Sequence, residues 1–193
     1  MKNLVFASLL LAGCASMAKV EPGAVTIGDA LVVRSDGHWN RVEPPQAEAD
    51  ASEVWTAEGV TLDMLLFYVG VADGETLGTA QNQPVFRAGM LPHEIVELYE
   101  ALVAQDGSAF RLERLAPTPF GGTQGFLFEH RTTLRNGLVL RGRAYGSVVE
   151  GRLYLLSFTA PDSHFYAKHL PSVDALAASA KITRRETAAS ASP

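Results

Sequence analysis

Cysteine occurs once in the 193-residue chain, which excludes an internal disulfide framework and any metal centre built on several thiolates. Glycine and proline, at 17 and 10 residues, follow no period, so neither a collagen-like nor a low-complexity chain fits. The five histidines show no H-x-x-x-H pair, and His164 and His169, five apart, would point from different faces of a helix; no metal site is expected. There is no Gly-x-Ser-x-Gly elbow, no Walker loop and no dinucleotide fingerprint, so no cofactor is expected either. Gly121-Gly122-Thr123-Gln124-Gly125 is glycine-rich, but it runs into a strand with no helix behind it to hold a phosphate. What is present is an apolar content of 47%, enough to fold one domain and too short a chain for two comfortable ones.

The cysteine sits where it carries information. Residues 1–14 read MKNLVFASLLLAGC, with Lys2 ahead of an apolar run from Leu4 to Ala12. That run is too short for a bilayer span, which needs about 20 residues, and has the length of a signal core. Leu11-Ala12-Gly13-Cys14 resembles the lipobox of bacterial lipoproteins at all four positions. The resemblance implies cleavage before Cys14, lipid on its thiol and an acylated new N-terminus. Two or three chains anchor stably where one does not. Ala15 carries no aspartate retention signal, which favours an outer-membrane anchor facing the periplasm.

The expected layout is a signal peptide at 1–13, a lipidated tether at 14–24, one domain at 25–183 and a disordered tail at 184–193. Short strands are expected at Val25–Ile27, Leu31–Arg34, Val54–Thr56 and Thr61–Val69. Glu43–Ala51 and Asp73–Gly89 read as loops, the second mobile because it has few large apolar residues. Pro92, Glu94 and the spacing of Ile95, Leu98, Tyr99 and Leu102 predict a helix closed by Gly107. Phe126–Arg135 and Leu138–Val149 flank Asn136-Gly137, a type I′ turn signal, and Glu150-Gly151 leads into Arg152–Thr159. With Arg135 opposite Leu138, one face would carry Phe126, Phe128, His130, Arg141, Arg143, Tyr145, Ser147, Tyr154, Leu156 and Phe158. Leu127, Glu129, Arg131, Gly142, Ala144, Gly146, Leu153, Leu155 and Ser157 would share the other, a flat surface for a helix. Phe110–Leu115 adds a neighbouring strand. A helical turn capped by Asp162 and a last helix from Pro171 complete an α+β fold, an antiparallel meander packed with helices.

A meander running into Leu155-Leu156-Ser157-Phe158-Thr159-Ala160-Pro161, then Phe165 and a helix with Ala178-Ser179-Ala180, resembles the PsbP-like superfamily, including its DcrB-like lipoproteins. The match is confined to roughly 123–182. It implies an α/β/α sandwich and an accessory or binding role in a larger assembly, with no catalytic residues to carry over.

Charge divides the chain. Residues 20–106 hold 15 acidic and 3 basic side chains, whereas 107–193 hold 6 and 11. Arg131, Arg135, Arg141, Arg143 and Arg152 lie on or beside the meander, either as a cationic patch for an anionic ligand or as partners for the acidic half. The net charge of −5 argues against nucleic acid. The aromatic row is core or the wall of an apolar pocket, with His130 opposite Arg143 and beside Phe158 at its polar end. Phe86 and Arg87 are expected to contact a partner from the long loop, unless Phe86 is buried. A membrane-tethered binding or assembly module with an envelope protein partner is therefore expected. The alternative is an envelope hydrolase acting on cell-wall or lipid substrates through carboxylates such as Glu129 or Glu58.

Overall fold

The computed structural model describes residues 16–43, 51–78 and 83–183. The lipobox, the signal core, the C-terminal tail and part of each expected loop lie outside the described residues. Eleven strands and two helices follow in order: β1 Ser16–Lys19, β2 Gly23–Ile27, β3 Leu31–Ser35, β4 Asn40–Glu43, β5 Glu53–Thr56, β6 Met64–Val71, α1 Pro92–Val103, β7 Ala109–Pro117, β8 Phe126–Thr133, β9 Val139–Val149, β10 Arg152–Pro161, α2 Phe165–Ser179 and β11 Lys181–Ile182. Eight strands form one antiparallel sheet in the order β1-β4-β5-β6-β10-β9-β8-β7, and three form a second, β11-β3-β2. Sheet therefore dominates over helix, more than an even sandwich would have.

The central strands of the large sheet are buried on both faces, with side chains alternating between them. Leu65, Phe67, Leu156 and Phe158 enter one core together with α2 and the small sheet. Leu66, Tyr68, Leu155 and Phe128 enter the other, under α1. Neighbouring side chains along a strand point to opposite faces, so every apolar residue in these runs has a core to enter.

The β8–β9 turn corrects the expected register. Thr133 pairs with Val139, and the Leu134 N–H donates to the Leu138 carbonyl at 2.9 Å. The loop therefore has three residues, Arg135 to Gly137, with Gly137 at φ 84°. Glycine takes the left-handed position of a three-residue hairpin as readily as that of a type I′ turn, so Asn-Gly alone does not choose between them. One extra loop residue turns all of β8 over relative to β9. Phe126, Phe128 and His130 thus lie over Gly146, Ala144 and Gly142. The aromatic rings fill the space the small residues leave, where a flat helix-packing surface was expected. The second turn is as expected: Val149 pairs with Arg152 across Glu150 and Gly151, both at positive φ.

Three other segments depart from expectation. Ser16–Lys19, within the expected tether, pairs with β4 at the sheet edge. Helix α2 runs straight through Pro171 instead of starting there, and Asp162 binds arginines in place of capping it. The described ends of the stretch after β6 are pinned, not loose. Phe86 exchanges backbone hydrogen bonds with Gly74 and Glu75 at 2.8 and 2.7 Å, and Leu77 and Phe86 are buried in the α1 core. Helix α1 matches the spacing that predicted it. The Glu94 carboxylate accepts the Leu91 N–H at 2.7 Å, and Gly107 ends the following 3-10 turn, Ala104–Asp106, in the left-handed conformation.

Candidate functional site

The two faces of the large sheet are not covered equally. Helix α1 packs on β7 and β8, and beside it the same face of the sheet is open over part of β5 and β6. An apolar cleft of about 400 Å³ lies there. Alternate residues of β6, Met64, Leu66 and Tyr68, form its floor with Val54. Tyr99, Leu102 and Val103 of α1 form one wall, and Leu134 and Leu140 close the hairpin end. Gln105, Asp106, Thr132 and Thr159 supply the polar part of the lining.

The polar chemistry near the floor is neutral. The Tyr99 hydroxyl shares a 2.7 Å hydrogen bond with the Ser157 hydroxyl, and burial pushes the phenol up to about 12. Asp106 stays ionised at the rim, because the hydroxyl and backbone N–H of Ser108 hold its carboxyl below the usual range. A cleft of this size, mostly apolar with a few hydroxyls, suits a ligand that buries hydrocarbon.

His130 lies behind this cleft and not beside Arg143. It pairs with Gly142 on the α1 face, stacks on Phe110 with ring centroids 4.8 Å apart, and is fully buried. Its Nδ1 is 3.3 Å from the Thr132 hydroxyl, and its Nε2 has no partner. Desolvation pushes its pKa down to about 4 against a weak pull from Glu113, so the ring is neutral near pH 7. Buried and neutral, it adds no positive charge to the protein surface.

Arg131, Arg141 and Arg143 are gathered on the opposite face, but not as an open cationic patch. Arg131 donates to Glu113 and Asp162, each at 2.6 Å, and Arg141 lies 3.9 Å from Glu113 and 3.6 Å from Asp162. Arg141 also stands over the Tyr166 ring at 4.6 Å. Arg143 bonds Glu129 and, through both carboxylate oxygens, Asp174. Three guanidiniums thus meet four carboxylates. All four acids come from the basic half of the chain itself, so the acidic half does not supply the partners of these three arginines. Glu129, one of the two carboxylates considered for hydrolysis, is occupied by Arg143; the other, Glu58, bonds Lys168.

Phe86 cannot meet a partner, since it is fully buried. Arg87 is exposed and pairs with Asp73 at 3.2 Å. Among the described residues no group of three or more His, Cys, Asp or Glu side chains is placed to hold a metal. The cleft itself went unrecognised in the sequence. Its one trace there is the surplus of apolar residues on a single face of β5 and β6 over what one helix can cover.

No protein-family model matches the chain, and no curated protein does. Solved structures do. The PsbP of the cyanobacterium Synechocystis sp. PCC 6803, CyanoP, superposes with a TM-score of 0.59 at 13% identity, over 92% of this chain and 98% of that one. The fold is similar to that of PsbP. LpqN of Mycobacterium tuberculosis, described as involved in cell envelope biogenesis, superposes with a TM-score of 0.50 at 10% identity, over 83% and 90% of the two chains. At these identities the likeness concerns the fold.

Proposed function

We propose that this protein is a lipid-anchored module of the bacterial cell envelope that binds an apolar ligand in the cleft beside α1 and catalyses no reaction. The observation that carries the binding role is the cleft itself, with its apolar floor on the sheet face beside α1. The lipobox-like Leu11–Cys14 supports the anchor, and the fold shared with an envelope protein, LpqN, is consistent with that address. The non-catalytic reading is supported by the two candidate carboxylates, each held in an ion pair outside the cleft.

The binding role is tested with N-phenylnaphthylamine, whose emission rises in apolar surroundings. The full chain should enhance it saturably, and Leu140→Asp, at the half-buried hairpin end of the cleft, should weaken binding at least tenfold. Equal binding by that variant overturns the role. The anchor is tested by the mass of the protein recovered from bacterial membranes. Acyl chains on Cys14, lost together with membrane retention in Cys14→Ser, are expected; a wild-type chain with no acyl mass there overturns it.

A further inference from the structure

On the far side of the sheet from the cleft, two histidines meet. His38 Nε2 and His169 Nδ1 are 2.8 Å apart, and the His169 ring is fully enclosed while His38 is exposed. His38 lies in the segment between β3 and β4, and His169 on α2. The other nitrogen of His169 is 3.4 Å from Glu58 Oε1, a charge contact whose geometry falls short of a hydrogen bond. Glu58 belongs to the β5–β6 turn, which Asp63 builds by accepting the Ala57 and Glu58 N–H groups at 2.7 Å. Val60 of the same turn lines the cleft. We propose that His38, His169 and Glu58 form an acid-operated clasp that ties the β3–β4 segment and the β5–β6 turn to α2 and opens when both histidines are protonated.

The proton positions follow from the neighbours. A carboxylate facing His169 Nε2 favours a proton on that nitrogen, so Nδ1 is the acceptor and His38 Nε2–H the donor. Exposed His38 can take its second proton on Nδ1 and keep the bond. His169 cannot, because two imidazoliums have only donors to offer one another. Every charged group around the pair enters the balance. Asp36, from the β3–β4 segment, accepts the His38 backbone N–H at 3.0 Å and the Ser172 hydroxyl at 2.8 Å. Asp63 and Glu58 face from the turn and, like Asp36, favour the cation. Lys168 and the second imidazole oppose it, as does burial, which outweighs the rest and holds His169 below the usual histidine range. Trp39 completes the joint, its Nε1–H donating to Ser172 at 3.0 Å on α2.

The test is hydrogen–deuterium exchange of the full chain, at pH 7.5 and 5.0, corrected for the intrinsic pH dependence of exchange. Opening should be favoured at pH 5.0 by up to about 30-fold, the ratio of charged to neutral imidazole at the ordinary histidine pKa of about 6.5. The gain should appear at residues 36–40, 57–63 and the first half of α2, and not in α1. His169→Gln should abolish it. His38→Gln keeps a donor and removes the second charge, so its opening should move to lower pH; this exposed position decides the matter if His169→Gln does not fold. Equal protection at both pH values in the wild type overturns the clasp, as does an unchanged pH midpoint in His38→Gln.

Discussion

The two faces of the eight-stranded sheet carry similar apolar residues and end in different structures. On the α2 face, Trp55, Phe67, Leu156 and Phe158 are sealed by α2 and by Ile27, Leu31 and Val33 of the small sheet. The edge of that seal is electrostatic, with Arg131, Arg141 and Arg143 bound to Glu113, Glu129, Asp162 and Asp174. On the α1 face, one helix with Leu77 and Phe86 covers an apolar surface, and the cleft lies beside them. A core closed under an ion-pair network and a core that opens into an apolar cleft therefore share a single sheet. Stability belongs chiefly to the first, and room for a ligand to the second.

Truncating a phenylalanine on each side gives the largest effects that separate them. Phe158 packs against Trp39 and Tyr166 at 6.1 and 5.9 Å within the closed core, so Phe158→Ala should cost near the top of the roughly 3–5 kcal/mol range for buried Phe. Phe86 is equally buried but held by a loop, which collapses more readily, so Phe86→Ala should fall near the bottom of that range. Denaturant titration measures both. A cost below about 1 kcal/mol for Phe86→Ala, typical of exposed sites, would detach that loop from the α1 core.

Acid should also act on the α1 face, through His130. Its pKa is about 4 in the folded chain and about 6.5 unfolded, so the unfolded chain binds the extra proton first. The stabilisation is complete above pH about 6.5 and is lost as the pH falls toward 4, in all about 3 kcal/mol. His130→Gln should flatten that part of the stability profile. A profile unchanged by the substitution would mean that the ring is already solvated.

How these faces could be read from the sequence depends on where the constraint lies. Helix α1 was legible because its spacing, its proline and its glycine stop are local signals. The β9–β10 turn was legible because Glu150-Gly151 fits a two-residue loop. The β8–β9 turn was not, since Asn136-Gly137 suits two loop lengths and only the burial of Phe128 and His130 over small residues selects the longer. The expected family fold agrees with the solved structures, whereas the arginine network depended on that register and was misplaced with it. The cleft and the His38–His169 pair join segments far apart in the chain, which no short motif records.

A smaller test probes the register directly. A Cβ added at Gly142 would fall on His130 Nε2, well inside van der Waals contact. Gly142→Ala should therefore cost about 1–3 kcal/mol, as overpacking does. In a His130→Ala background most of that cost should disappear, because the two side chains contend for one space. Purely additive losses in the double-mutant cycle would place the imidazole elsewhere.

The smallest expected effect is at Arg87, next to the buried Phe86. Its side chain is 60% exposed, its partner Asp73 57%, and an ion pair in that setting is worth about 0–1 kcal/mol. Asp73 has a second role that does not need the arginine, for it accepts the Ala88 N–H at 3.0 Å. That bond is the first reason its carboxyl sits below the usual range. Arg87→Ala should thus change stability by less than about 0.5 kcal/mol, and Asp73→Ala by more, because it also frees the backbone that pins Phe86. The reverse order would assign the anchoring of this segment to the ion pair, and the α1 core would then end in a charged seal like the one on the α2 face.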